Sequence, residues 1–173
     1  HGDGAEGGSA AALAGLEVDV RLVLPAYRPV LAGIGSFRVL GWLTLSSGRE
    51  VRILEAGHPE VAAPLWLVDA PDMFDREGTP YTDAGGHDWE DNPARFALFS
   101  ESAALLAVDA LGTGWRADAV HANDWQTGLV PAFLATGPTR PRTLFTVHNL
   151  AYDCQFDYGT FHKLHLPHYW WSV

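Results

Sequence analysis

The stretch ADAVHANDWQTGLVPAFLATGPTRPRTLFTVHNLAY, residues Ala117–Tyr152, decides the fold class of this chain. A short apolar run at Ala119–Val120 ends in the polar cluster His121–Trp125, and a helical pattern follows. A second, β-rich apolar run at Thr143–Val147 ends in another polar cluster, His148–Asn149. The pattern predicts a strand–helix–strand unit, which is the building block of a parallel sheet.

The polar cluster at each strand end places candidate chemistry at one edge of that sheet. Ligands of open parallel sheets bind outside the carboxyl ends of the strands. Asp124 and His148 both lie there, so we expect them to face one cleft. The intervening helix is predicted over residues 124–134, with Asp124 at its N-cap position and a kink at Pro131.

Composition narrows the class of protein. With 173 residues, 47% of them hydrophobic and 18% charged, the chain is long enough for one globular domain with a real core. The formal net charge of -10 disfavours nucleic acid and anionic membrane as partners. The single cysteine, Cys154, rules out an intrachain disulfide. No apolar run reaches the roughly 20 residues of a membrane-spanning helix.

The remaining segments extend the same α/β pattern. From the N-terminus we predict a helix at Gly7–Leu16, a strand at Val18–Leu24 and a loop at Ala26–Ser36. A hairpin of Phe37–Leu45 with Val51–Glu55 and a strand at Pro64–Val68 follow. A long aromatic-rich loop covers Asp72–Asp91. The clearest helix starts at Asn92, capped by Asp91 or Asn92, and ends near Gly112. The fold class is therefore α/β with a Rossmann-like, mostly parallel sheet.

His121, Asp124 and His148 form the leading chemical constellation. Two imidazoles and a carboxylate suit a divalent metal. The same groups suit sugar hydroxyls and the stabilisation of developing charge. The structural alternatives are a strand-end histidine bonded to backbone and an aspartate that only caps a helix.

Weaker candidates lie elsewhere in the chain. Tyr81 and Asp83, in the long loop, either line the cleft or anchor their own loop. Arg95, next to Phe96, either reaches a carboxylate of that loop or is solvated at the surface, and the surface position is the one we expect. A metal site at His162, His165 and His168 is disfavoured by the intervening Pro167. Gly7-Gly8 lacks the strand and the motif of a phosphate-binding loop.

Several motifs, in register over nearly the whole chain, resemble one family. The N-terminal half of bacterial glycogen synthases and plant starch synthases is similar to the following segments in the same order: VDVRLVLPAY (18–27), DAPDMFDREGTPYTD (69–83), DNPARFALFS (91–100), HANDWQTGLVPAFL (121–134), TVHNLAY (146–152) and FDYGTFHKLHLPHYWW (156–171).

The resemblance implies a GT-B glycosyltransferase, built from two Rossmann-like domains with a cleft between them. The family transfers glucose from ADP-glucose, a co-substrate, to the non-reducing end of an α-1,4-glucan such as glycogen, starch or a maltooligosaccharide, with retention. It requires neither a metal nor a cofactor. The positions carried over are His148 and Asp124 as catalytic residues, and Tyr81, His121, Asn149 and Gln126 as substrate-binding residues.

The chain also departs from the family pattern. Nothing matches the opening strand that ends in K-x-G-G-L, because Gly7-Gly8 follows Glu6 and no lysine. Asp153-Cys154 replace the Gln-Gly that usually follows TVHNLAY (146–152) in the family. The resemblance therefore implies that residues 1–173 are a single, incomplete N-terminal catalytic domain, without its first strand and the second domain. We expect the isolated chain not to transfer glucose.

Two other functions remain open at this level. One is a non-catalytic glucan-binding or regulatory remnant of the same fold. The other is a metal hydrolase that uses His121, Asp124 and His148. The resemblance implies a cytoplasmic location in a bacterium and a plastid location in a plant.

Overall fold

The computed structural model describes residues 12–13, 15–150 and 156–171 of the chain. The described elements are, in order, β1 (Leu22–Pro25), α1 (Arg28–Gly33), β2 (Phe37–Thr44), β3 (Glu50–His58), β4 (Val61–Asp69), α2 (Pro71–Phe74), α3 (Asn92–Ala107), β5 (Ala119–Asn123), a 3₁₀ turn (Trp125–Thr127), α4 (Val130–Thr136), β6 (Arg142–Thr146), α5 (Tyr158–Lys163) and a second 3₁₀ turn (His168–Trp170).

The strands form one sheet of four and one of two. The first has the order β1-β4-β3-β2, and the second pairs β5 with β6. β1 runs parallel to β4, and β5 runs parallel to β6. β2, β3 and β4 pair antiparallel as a meander. The α/β class and the parallel strand–helix–strand unit are confirmed, and the predicted hairpin is the β2–β3 pair.

The hydrophobic core lies on both faces of β4, because alternate side chains of a strand point to opposite faces and both faces are covered. Trp66 and Val68 pack in the cluster that includes α2 and α3, while Leu65 and Leu67 pack in the cluster that includes residues of α1. Helix α3 joins the two sheets. Its Leu98, Phe99 and Leu106 pack with the four-stranded sheet, and its Ala104 and Ala107 pack with residues of β5 and α4.

Some sequence predictions about elements are corrected by the structure. The strand predicted at Val18–Leu24 is shorter and shifted, and the strand predicted at Pro64–Val68 is longer at both ends. The predicted loop at Ala26–Ser36 contains α1, which starts with a proline in its first turn, where the missing N–H is harmless. The long helix ends at Ala107 rather than near Gly112.

The region of the predicted helix 124–134 also differs. A 3₁₀ turn over Trp125–Thr127 comes first, and α4 begins only at Val130. Pro131 therefore lies in the first turn of α4, where its fixed φ fits, and does not kink a helix. Most of the predicted helix Gly7–Leu16 lies outside the described residues, as do Tyr152, Asp153 and Cys154.

A groove separates β1 from β5. It is lined by all residues of β1 and of β5 and by the Phe96 side of α3. Within the described residues, β1 pairs only with β4 and β5 only with β6, so the edges of both strands that face away from those partners are unpaired. No helix in the described part of the chain has the length and hydrophobicity needed to cross a membrane.

Candidate active site

Asp124 connects the ends of β5 and β6. Its backbone N–H donates to the carbonyl of Thr146 at 2.8 Å, and its carboxylate Oδ1 accepts the backbone N–H of His148 at 2.7 Å. The residue has φ 55° and ψ 179°, a conformation that non-glycine residues rarely adopt and that costs about 1–3 kcal/mol. Strain of this kind is retained where surrounding contacts fix it, often at functional sites.

The predicted N-cap role of Asp124 is wrong. Its side chain makes no cap hydrogen bond to the 3₁₀ turn that follows. The positive φ turns the carboxylate away from that turn and toward the neighbouring strand, where it binds His148. The aspartate therefore clamps two strand ends rather than starting a helix.

His148 lies two residues beyond the end of β6, and its ring faces back toward β5. Its ring Nε2 lies 3.1 Å from Oδ1 of Asn123, the last residue of β5. Together with the Asp124 bond, this gives the histidine one backbone and one side-chain tie to the neighbouring strand end. The two parallel strands bring Asp124 and His148 into contact at one edge of the sheet. Asp124 lines the groove between β1 and β5 and His148 does not, so the expectation that both face one cleft stays a prediction.

His121 makes a further cross-strand contact. Its Nε2 lies 2.7 Å from Oγ1 of Thr146. In the parallel register Asn123 pairs with Thr146, so His121 reaches along the sheet face to that threonine. The side chain is exposed, and the contact is to a side chain rather than to the backbone partner expected for a purely structural histidine.

Tyr81 comes to the same groove from the long loop. Its ring centroid lies 6.1 Å from that of Phe96 and 6.4 Å from that of Trp125. Tyr81, His121, Asp124 and Gln126 all line the groove between β1 and β5. His148 and Asn149 are not among its lining residues; both are exposed at the end of β6. The structure thus brings Tyr81, His121 and Gln126 into one groove with Asp124, and it ties His148 to Asp124 outside that groove.

Arg95 holds the loop that carries Tyr81, and its predicted surface position is wrong. The residue is 1% exposed, and its guanidinium donates to the carbonyls of Met73 and Pro80 and to Oδ1 of Asn92. Burial lowers the pKa of the Arg95 guanidinium below its usual range. Asn92 in turn donates to the carbonyl of Tyr81 at 2.9 Å. Buried donors that meet main-chain acceptors fix the loop against α3.

An ion pair closes the base of the same loop. Arg76 binds both oxygens of Asp91, at 2.9 and 2.7 Å. Burial alone would raise the pKa of the Asp91 carboxyl, but the hydrogen bonds and charge of Arg76 outweigh it and hold that pKa below its usual range. Asp91 is therefore engaged with the loop and makes no side-chain cap bond to α3, contrary to prediction.

Asp83 belongs to the loop rather than to the groove. Its carboxylate accepts the backbone N–H groups of Gly85 and His87, and these bonds, His87 first, keep the pKa of Asp83 below its usual range. Of the two alternatives for this loop, Asp83 follows the anchoring one and Tyr81 reaches the groove. Over residues 12–13, 15–150 and 156–171, no three His, Cys, Asp or Glu side chains are grouped closely enough to hold a metal ion.

Two residues of the site were missed by sequence reasoning. Asn123 and Thr146 supply the side-chain partners of His148 and His121. The available signal was the run of polar residues on both sides of each strand end. Only the pairing register of β5 and β6 shows which of these polar side chains contact each other.

Comparison with known proteins gives the family. A family model described as the starch synthase catalytic domain matches residues 6–173. The chain belongs to the starch synthase catalytic domain family.

Curated relatives of this family are glycogen synthases. One from Methylococcus capsulatus is 44% identical over 163 residues, which is 94% of this chain and 33% of that protein. One from Thioalkalivibrio sulfidiphilus is 46% identical over 162 residues, covering 92% and 34% respectively. The chain thus spans about a third of the length of the curated relatives it matches.

A solved member of the starch synthases shares the architecture. The catalytic domain of starch synthase IV from Arabidopsis thaliana, bound to ADP and acarbose, superposes with a TM-score of 0.61 at 25% identity. The match covers 81% of this chain and 29% of that one. The mixed α/β fold with parallel strand pairs matches the GT-B fold of that structure, as predicted.

Proposed function

We propose that the protein carrying this domain transfers glucose from ADP-glucose to the non-reducing end of an α-1,4-glucan with retention. The relatives named glycogen synthase support the reaction, and the starch synthase neighbour with ADP and acarbose supports the two substrate classes. The proposed reaction uses no metal and no cofactor. The proposed location is the cytoplasm of a bacterium, or a plastid if the source is a plant.

The observation that carries this proposal is the Asp124–His148 clamp. A carboxylate oxygen of Asp124 accepts the backbone N–H of His148 at 2.7 Å, so the two strand ends act as one rigid unit. Groups held in this way do not have to reorganise as charge develops during reaction, which is the condition for electrostatic stabilisation of a transition state. A sugar that develops oxocarbenium character next to Asp124 would be stabilised by the negative carboxylate.

The other predicted substrate-binding residues are arranged to receive hydroxyl groups. Tyr81, His121 and Gln126 meet in the groove beside Asp124 and offer phenol, imidazole and carboxamide groups. The ring face of Tyr81 also offers an apolar surface against which a pyranose can pack. Asn149 follows His148 at the exposed end of β6 and is assigned to the same sugar site.

The test is a His148→Ala variant of the complete gene product, assayed with radiolabelled ADP-glucose and a maltooligosaccharide. We expect kcat to fall about 100-fold, because loss of one preorganised group in a transition-state site costs roughly that factor. The KM for ADP-glucose should change less than kcat. The exposed Thr143, on the same strand but away from the site, provides the matched control Thr143→Ala.

Results against the proposal are equally clear. An unchanged kcat in His148→Ala removes that residue from catalysis. A complete gene product that binds maltooligosaccharide in calorimetry but shows neither binding nor turnover of ADP-glucose is instead a glucan-binding protein of the same fold.

A further inference from the structure

We infer that Asn123 is a positioning residue, which holds the imidazole of His148 in the tautomer that carries its proton on Nε2. This inference deepens the proposed function, because it assigns the residue that prepares His148 for a sugar. Sequence reasoning gave Asn123 no role, although the residue lies directly before Asp124.

The proposed tautomer follows from the orientation of the Asn123 carboxamide, whose oxygen faces the imidazole of His148. Nε2 of His148 lies 3.1 Å from Oδ1 of Asn123. With the carboxamide oxygen of Asn123 toward the ring, Nε2 is the donor, because a carboxamide oxygen only accepts. In the neutral ring the second nitrogen, Nδ1, then has the lone pair and is the acceptor that a ligand hydroxyl would meet.

The position of Asn123 is fixed by the sheet. It is the last residue of β5 and pairs with Thr146 in the parallel register. Its neighbour Asp124 holds the backbone N–H of His148 at 2.7 Å. The histidine is thus tied at its backbone by Asp124 and at its ring by Asn123, and these two bonds together set the orientation of the ring.

The two ties differ in what they do chemically. The Asp124 bond leaves the imidazole free to rotate and to exchange its proton between the two nitrogens. The Asn123 bond restricts both the ring rotation and the site of the proton. The other described titratable side chains of this cluster are the Asp124 carboxylate and the His121 imidazole, and His121 is engaged with Thr146 rather than with His148.

The direct test needs no variant of Asn123. Long-range ¹H–¹⁵N spectra of the complete gene product labelled with ¹⁵N-histidine distinguish the two tautomers of each ring. The His148 signal is identified by its loss in His148→Gln. We expect the Nε2–H form for His148. A neutral ring with its proton on Nδ1 would overturn the inference.

The kinetic test is a double-mutant cycle with Asn123→Ala and His148→Ala in the glucosyl-transfer assay. We expect Asn123→Ala alone to lower kcat about three- to tenfold, the range that loss of one ordinary hydrogen bond supports. In the His148→Ala background the same substitution should change kcat less than about twofold, because a residue that acts through His148 has nothing left to position.

Asn123→Asp should shift the pH–rate profile, which would not change if Asn123 had only a structural role. The substitution preserves size and the acceptor but adds a negative charge next to Nε2, which favours the protonated ring. The acidic limb of the pH–rate profile should therefore move to higher pH, with activity recovered as the pH rises. Thr143→Ala again controls for general destabilisation of the β5–β6 pair.

The experiments distinguish failure of the proposed function from failure of the positioning role of Asn123. If the complete gene product transfers no glucose from ADP-glucose, the proposed function fails, while the tautomer measurement still tests which ring nitrogen of His148 carries the proton. Equal losses from Asn123→Ala in both backgrounds, or a pH–rate profile of Asn123→Asp identical to that of the wild type, would overturn the positioning role alone.

Discussion

Strands β4 and β6 have similar sequences and very different surroundings. β4 carries LWLV and β6 carries TLFT, and both read as apolar, β-prone runs. In β4, Leu67 is completely buried, because the strand has a partner on each side and is covered on both faces. In β6, Leu144 is 60% exposed, and the strand pairs only with β5.

The four-stranded sheet and the β5–β6 pair therefore have different roles in the molecule. The four-stranded sheet with α2 and α3 supplies the tight packing that gives the chain its stability, and it fixes the Tyr81 loop through the buried Arg95. The β5–β6 pair buries little and instead presents polar groups at the ends of its two strands. Within the described residues, the proposed site therefore lies on the region that contributes less to the core.

The largest expected effect tests this contrast directly. In the 173-residue chain, Leu67→Ala should lower the free energy of unfolding by about 2–5 kcal/mol, because it leaves a cavity in a fully packed interior. Leu144→Ala is the matched substitution on β6 and should change it by no more than about 0.5 kcal/mol. Urea unfolding followed by tryptophan fluorescence measures both. Similar losses for the two variants would mean that β6 is as well packed as β4.

A smaller effect should reveal the strain at the site. Asp124→Gly and Asp124→Ala both remove the carboxylate, but only glycine adopts φ 55° without steric cost. We expect the glycine variant to be more stable than the alanine variant by about 1 kcal/mol in urea unfolding. At Thr143, in ordinary β conformation, the order should reverse. An alanine variant as stable as the glycine variant at position 124 would show that the backbone there is unstrained.

The smallest expected effect concerns the loop that the scaffold holds. Because the folded-state pKa of Asp91 is held below its usual range, its pairing with Arg76 stabilises the fold above the unfolded-state pKa, near pH 4. That contribution is lost as the pH falls through the lower folded-state value. For this partly exposed pair it amounts to no more than about 1 kcal/mol. Asp91→Asn should therefore show a weaker fall in Tm than the wild type when the pH is lowered below about 4.

The matched control for that measurement is Asp118→Asn, at a residue for which the structure shows no ion pair among those described. Its acid-induced fall in Tm should match that of the wild type. An Asp91→Asn variant that loses stability in acid as steeply as the wild type would assign the pH dependence to other carboxylates.

The site could be predicted in part from sequence. The order of strand, helix and strand follows from local apolar runs, and parallel pairing then brings their carboxyl ends to one edge. This is why Asp124 and His148 were identified together. The role of Asp124 could not be predicted, because Asp before a helical turn has the same local pattern whether it caps the helix or reaches across to a neighbouring strand.

The position of Arg95 likewise could not be predicted from its local sequence. On a helix face next to Phe96, an arginine is expected to point to solvent. It is buried instead because the carbonyls of Met73 and Pro80, 22 and 15 residues earlier in the chain, converge on it. The residues next to Arg95 in the sequence do not indicate where those two carbonyls lie.

The sequence by itself determined that this chain is α/β, that two strands of one unit end in polar clusters, and that its motifs are those of the starch synthase family. These properties rest on local periodicity and on short motifs, which neighbouring residues encode. The tertiary structure alone decided the strand order β1-β4-β3-β2, the burial of Arg95 and the clamp from Asp124 to His148. Each of these depends on partners distant in sequence, whose positions are fixed only when the sheets and α3 pack together.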